Sequence, residues 1–212
     1  MRAATDAPMV RRAGGRTWLL AAAALASACT TSGPIRPTQV ELQDASGFQV
    51  SEEVHVSAQL RADFDSAVRA LAEEQYERGI ALLVEVTQAA PHLTAAHIDL
   101  GIAYARVGDL AKAEQSLLAA LELSPRHPVA HNELGIVQRR TGRFADARGS
   151  YERALEVYPD FHFARRNLAV LCDMYLADAE CALENYEIHA RAVPDDPNVA
   201  IWIADLRNRV GR

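Results

Sequence analysis

The sequence predicts an all-α solenoid of about four helical hairpins, and three observations carry that reading. Four prolines, Pro91, Pro125, Pro159 and Pro194, recur at spacings of 34, 34 and 35 residues. A fixed period in this range is the mark of stacked structural repeats. Small residues recur in register between the prolines, with Leu100-Gly101 and Ala113 answered by Leu134-Gly135 and Ala147. Half of the 212 residues are hydrophobic, only 6% are aromatic and alanine is abundant, a composition that favours closely packed helices over sheet.

The N-terminus is an address rather than part of the fold. A basic stretch ends at Arg16, an apolar run covers 18–26, and Ser27-Ala28 precede Cys29. That run is too short for a spanning helix, which needs about 20 residues. A basic start, a short apolar middle and a small-residue exit describe a secretory signal over 1–28. Leu25-Ala26-Ser27-Ala28-Cys29 resembles the lipobox of bacterial lipoproteins, with leucine one place further from the cysteine than that family prefers. The resemblance implies that Cys29 carries lipid (palmitate among its acyl chains) and becomes the mature N-terminus. Thr30 after it, where aspartate would retain the protein in the inner membrane, implies an outer-membrane anchor facing the periplasm. Two or more acyl chains hold such a protein stably, since each buried methylene contributes roughly 0.8 kcal/mol. Residues 29–56, with Pro34, Pro37 and Gly47, read as a flexible tether. Within it, Val40-Glu41-Leu42 and Val54-His55-Val56 alternate like strands that pair with a partner, or like an extended segment packed on the solenoid.

The repeat region runs over 57–196, with units near 60–93, 94–127, 128–161 and 162–196. Ser57 is the expected N-cap of the first helix. The second unit places Leu100-Gly101, Tyr104, Ala113, Leu117 and Pro125; the third places Leu134-Gly135, Ala147, Tyr151 and Pro159, with Gln138 in the tyrosine slot. This pattern resembles the tetratricopeptide repeat (TPR), whose unit is also 34 residues. Gly108 and Gly142 fall where the first helix of a pair must stop and turn. The first unit keeps Ala67, Gly79, Leu83 and Pro91. The fourth keeps Leu168-Ala169, Ala182, Tyr186 and Pro194 with one extra residue in its turn. Terminal repeats diverge because one face lacks a neighbour. After Pro197 a single apolar stripe, Val199, Trp202, Ile203, Leu206 and Val210, predicts a capping helix over 197–212.

Cys172 and Cys181, nine residues apart in an exported chain, suggest a disulfide across the fourth hairpin, the alternative being two buried thiols. Leaving out Arg2, Arg11, Arg12, Arg16 and Asp6, which precede Cys29, takes the 22 basic and 28 acidic side chains to 18 and 27, a mature net charge of −9. So acidic a body is a poor binder of phosphate backbones, which sets nucleic acid aside. His97 and His131 share a repeat position and His127 and His131 lie four apart, but no acidic or cysteine partner completes a metal site. They read as packing and capping residues. No nucleophile–base order, HExxH or phosphate-cradling glycine loop occurs, so the expectation is a protein without catalytic residues, metal or cofactor.

The TPR resemblance implies ligands along a concave face lined by the first helix of each pair. Carried onto this chain, it nominates Ile98, Ile102, Arg106, Asn132, Ile136, Arg139, Arg140, Phe163, Arg166 and Val170. Four arginines around an apolar floor suit an extended, acidic peptide, with Asn132 or Asn167 placed to hold its backbone. Segments within 167–206 resemble TPR proteins encoded beside ExbB, ExbD and TonB, which implies an envelope scaffold for TonB-type transport. Two other envelope roles fit a TPR lipoprotein: a pilotin-like assembly factor for a type IV pilus secretin, or an adaptor for cell-wall hydrolases. The sequence says nothing about oligomeric state.

Overall fold

The computed structural model describes residues 39–43, 47–51 and 56–211. Among these, nine α-helices follow one another: α1 Ala58–Ala72, α2 Tyr76–Ala89, α3 Thr94–Val107, α4 Leu110–Leu123, α5 Pro128–Arg140, α6 Phe144–Val157, α7 His162–Met174, α8 Ala179–Ala192 and α9 Val199–Arg209. Helices α1 to α8 pair as four hairpins, each packed on the next, and α9 lies against α8. The first helices α1, α3, α5 and α7 also touch their successors, whereas no such contact joins α2, α4, α6 and α8 among the described residues. First helices close together and second helices splayed apart give the stack an inner, concave side lined by α1, α3, α5 and α7.

Local chemistry explains the boundaries. Ser57 Oγ accepts the Leu60 N–H at 3.1 Å and caps α1, as its position predicts. Asp109 caps α4 and Asp178 caps α8 in the same way. Gly108 and Gly142 end α3 and α5 at φ +87° and +77°, a left-handed conformation that costs glycine little. The first and fourth hairpins make the same turn with Glu74 at φ +59° and Ala177 at φ +52°.

Each hairpin closes over a small residue. A methyl group on Gly101 would meet the Leu117 side chain at 2.6 Å, and one on Gly135 would meet the Tyr151 ring at 2.5 Å. Leu117 and Tyr151 are fully buried. At the fourth position of the second, third and fourth units the family's usual aromatic is replaced by a hydrogen-bonding strut. His97 Nε2 donates to the Pro91 carbonyl at 3.0 Å, His131 Nε2 to Pro125 at 2.9 Å, and Arg165 Nε to Pro159 at 2.9 Å. His127 caps α5, its Nδ1 accepting the Ala130 N–H at 3.3 Å, and burial pushes its pKa down to about 4. The histidines therefore do the capping and packing work expected of them.

The C-terminal helix caps the stack. Val199 and Leu206 are buried in the core of the third and fourth hairpins, and Trp202, Ile203 and Val210 pack around them. Cys172, at the end of α7, is bonded to Cys181, early in α8, with Cα atoms 5.9 Å apart. The bridge spans the turn that holds Ala177.

The expectation of a flexible tether over 29–56 is corrected in its second half. Strands β1 Gln39–Gln43 and β2 Gly47–Ser51 pair with each other as an antiparallel hairpin, with Val40 opposite Val50 and Leu42 opposite Phe48. Both runs alternate with the period of a strand, and the register sets apolar positions opposite one another. The signal lay in Phe48 and Val50, which supply β1 with a partner from its own chain; Val54 and His55 lie outside the described residues. The signal segment and Cys29 do so as well. Among the described residues no helix is long and apolar enough to cross a membrane.

Three outcomes follow for stability, all readable by thermal unfolding. Gly135→Ala is expected to destabilise by about 1–3 kcal/mol because the Tyr151 ring cannot yield. Gly149→Ala, whose methyl would meet only the mobile Arg153 end at 3.9 Å, should stabilise by roughly 1 kcal/mol. Replacing both cysteines of the bridge, Cys172→Ala with Cys181→Ala, should lower stability by about 2–3 kcal/mol. A reductant should then lower the melting point of the native chain but not that of the variant.

Candidate functional site on the concave face

The concave side is built from helix positions that point away from the second helix of each hairpin. Several nominated residues line it. Ile102 and Arg106 of α3 border a cleft of about 320 Å³ together with Val68, Leu71 and Ala72 of α1, Tyr76 of α2, and Asp99 and Ala103 of α3. Phe163 is 58% exposed at the start of α7, and Met174 is 70% exposed at its end.

Others are committed elsewhere. Ile98 is only 5% exposed and packs with Ala120 and Ala130 between α3, α4 and α5, so it belongs to the core rather than to a groove floor. Ile136 and Val170 are half-buried against the core of the third and fourth hairpins. Asn132 is 2% exposed; its Oδ1 accepts from Asn167 Nδ2 at 2.9 Å, and its Nδ2 donates to Glu133. The two amides placed in reserve for a peptide backbone hold each other, bridging α5 to α7. Arg166 leans on Trp202 at 5.8 Å and faces Asp196 at 3.9 Å, which ties α7 to the capping segment.

Three arginines remain. Arg106 is exposed at the end of α3. Arg140 donates to the Ala105 carbonyl, linking α5 to α3. Arg139 is half-buried over the Tyr175 ring at 5.8 Å and lies beside the Tyr151 hydroxyl. Neither Arg139 Nε nor that hydroxyl makes a well-aligned hydrogen bond. Among the described residues none of the three forms a salt bridge. By contrast, Arg143 pairs with Glu114 at 2.6 Å, Arg207 with Glu187 at 2.7 Å and Arg209 with Asp173 at 2.6 Å.

The structure adds two carboxylates that the sequence reading missed. Asp99 and Glu133 occupy the same position of successive units, one place after Ile98 and Asn132. Both are half-buried on the concave stripe. Burial raises the Glu133 pKa, while the bond from Asn132 and the charge of Arg106 oppose the rise. Burial alone pushes Asp99 up to about 6. The signal available was their recurrence 34 residues apart on the same face as Ile102 and Arg106.

A stack of helical hairpins with an open, chemically varied inner face defines a repeat protein that binds other polypeptides. Tetratricopeptide repeat models match residues 92–160 and 132–197. Together these cover half of the sequence, and the chain belongs to the tetratricopeptide repeat family. Among solved structures, MamA is similar over 72% of this chain and 82% of its own, at 19% identity and a TM-score of 0.63. PilF of Pseudomonas aeruginosa is similar over 71% and 68%, at 20% identity and a TM-score of 0.65. A thermophilic TPR protein of Thermus thermophilus is similar over 69% and 80%, at 21% identity and a TM-score of 0.61. At these identities the likeness is one of fold. No curated protein sequence matches the chain.

The Asp99 environment has a measurable consequence. In the unfolded chain the carboxyl titrates near 3.8, in the folded chain near 6. The folded state therefore holds the proton more tightly, and stability falls as pH rises from about 4 to 6, then levels off. Asp99→Asn removes that loss. The variant should be more stable than the native protein at pH 7.5, by at most about 3 kcal/mol, with the difference vanishing by pH 4 in denaturant titrations.

Proposed function

We propose that this chain is an envelope-anchored TPR adaptor that holds an extended, acidic segment of a protein partner along its concave face. The observation that carries the reading is the set Arg106, Arg139 and Arg140, three guanidiniums on the inner face that form no salt bridge among the described residues. A guanidinium is a rigid fork matched to carboxylates, and one already half-desolvated loses less on binding than one in open water. Phe163 and Met174 supply exposed apolar surface beyond it for non-polar side chains of the same segment. Arg166, held by Asp196 and Trp202, is a weaker contributor.

The envelope location rests on the signal over 1–28 and on Cys29 as a lipidated anchor in the outer membrane facing the periplasm. The Cys172–Cys181 bridge supports it, because such bonds persist in an oxidising compartment. The likeness of 167–206 to TonB-associated TPR proteins favours TonB-type transport as the pathway. The pilotin-like and cell-wall hydrolase roles use the same groove with a different partner.

Affinity purification of the tagged, acylated protein from detergent-solubilised envelopes tests the reading, with mass spectrometry of what co-elutes. The native protein should retain a defined partner set, and a variant carrying Arg106→Gln, Arg139→Gln and Arg140→Gln should lose it while melting within a few degrees of the native protein. Cys29→Ser should move the protein from the membrane to the soluble fraction. Partners that persist unchanged in the arginine variant would exclude the groove as their site. TonB components, secretin or hydrolases in the eluate would assign the pathway.

A further inference from the structure

Asp99 is the only carboxylate among the residues lining the cleft between α1 and α3, and no cation among the described residues balances it. Its counterpart Glu133 accepts a hydrogen bond from Asn132 and feels the charge of Arg106. Asp99 has neither form of support. Arg106 lies two helical turns further along α3, and its charge bears on Glu133 of α5. A carboxylate walled by Val68, Leu71, Ile102 and Ala103 is costly to ionise unless a positive group arrives. The protein gains no stability from it, and burdens of this kind collect where a ligand later supplies the missing partner.

The shape of the cleft says which partner group fits. Apolar side chains from two helices flank it, and Val68 and Arg106 leave it open to solvent on the concave side. A long aliphatic stem ending in a cation matches apolar walls above a buried anion. We infer that the α1–α3 cleft is a receptor for a lysine or arginine side chain of the bound polypeptide, its stem lying between Val68 and Ile102 and its cation meeting Asp99. This rests on the concave face being the partner-binding surface. It also orients the guest: a basic residue seats at the first two hairpins, and its acidic stretch runs on toward Arg139 and Arg140. The chain direction of the partner then follows from charge rather than from shape.

The test uses the full-length protein in detergent micelles and two short peptides, acetyl-Val-Arg-Val-amide and its glutamine counterpart. Affinities come from calorimetric titration, and methyl NMR locates the contact. The arginine peptide should bind about tenfold more tightly than the glutamine peptide, the scale of one charge-assisted hydrogen bond in a partly buried site. It should shift the methyl signals of Val68 and Ile102. Asp99→Asn should cut the preference to about twofold or less, whereas Asp65→Asn, on the exposed surface of α1, should leave it intact. No binding of either peptide, equal affinity of the two, or a preference that survives Asp99→Asn would overturn the inference. If the preference is missing while the arginine variant still loses its envelope partners, the groove reading stands and the Asp99 receptor falls. If both fail, the concave face is not the binding surface.

Discussion

The structure depends on how closely two helices approach at the eighth position of each repeat. Gly101 and Gly135 admit the Leu117 side chain and the Tyr151 ring to distances that a methyl group would forbid. With those contacts made, each hairpin becomes a tight wedge, and wedges stacked in register must curve. The curvature places every first helix on the inside. A binding face is thereby built largely from residues that the close contacts of each hairpin do not use, while Asn132, Arg140 and Arg166 on the same side join neighbouring helices. Ala169 takes the same position in the fourth hairpin and is fully buried, so the rule tolerates one methyl where the neighbours are arranged for it.

Stacking also needs the link between hairpins to be fixed, and here the chain uses polar chemistry in place of the family's aromatic. His97, His131 and Arg165 each reach back to the carbonyl of the preceding repeat proline. A proline that ends a helix leaves its carbonyl in need of a donor. A side-chain N–H six residues later meets that need and anchors the start of the next hairpin. For His131, burial disfavours the imidazolium, so the neutral ring serves as a one-proton strut. The fourth hairpin lacks a turn glycine, and a covalent bridge from Cys172 to Cys181 spans the turn that holds Ala177 in a left-handed conformation.

Charge is distributed unequally between surfaces. Arg143, Arg207 and Arg209 are paired with Glu114, Glu187 and Asp173, contacts worth little individually at exposed sites. On the inner face, among the described residues, Asp99 has no cation, and Arg106, Arg139 and Arg140 have no salt bridge. An acidic protein that leaves charges of both signs unpaired on one face keeps that face available. The partial burial of Asp99 and Arg139 makes the arrangement selective, since a desolvated charge discriminates between a guest that neutralises it and one that does not.

The sequence by itself determined the repeat period, the helical hairpins, the capping helix and the spacing of Cys172 and Cys181. These follow from local rules: proline ends helices, glycine turns them, and apolar residues at helical spacing must be buried. It also pointed to Ile102, Arg106, Arg139 and Phe163 on the first helices of their hairpins. Only the tertiary structure decided which residues on that face are free. Ile98 is drawn into the seam between hairpins, Asn132 is spent on Asn167, and Arg166 is held by the capping segment, because each depends on what the next hairpin brings to within bonding distance. The two carboxylates escaped notice for the same reason. A lone aspartate in an amphipathic helix reads as solvated surface until a neighbouring helix covers it, and no local pattern shows that α1 lies over Asp99.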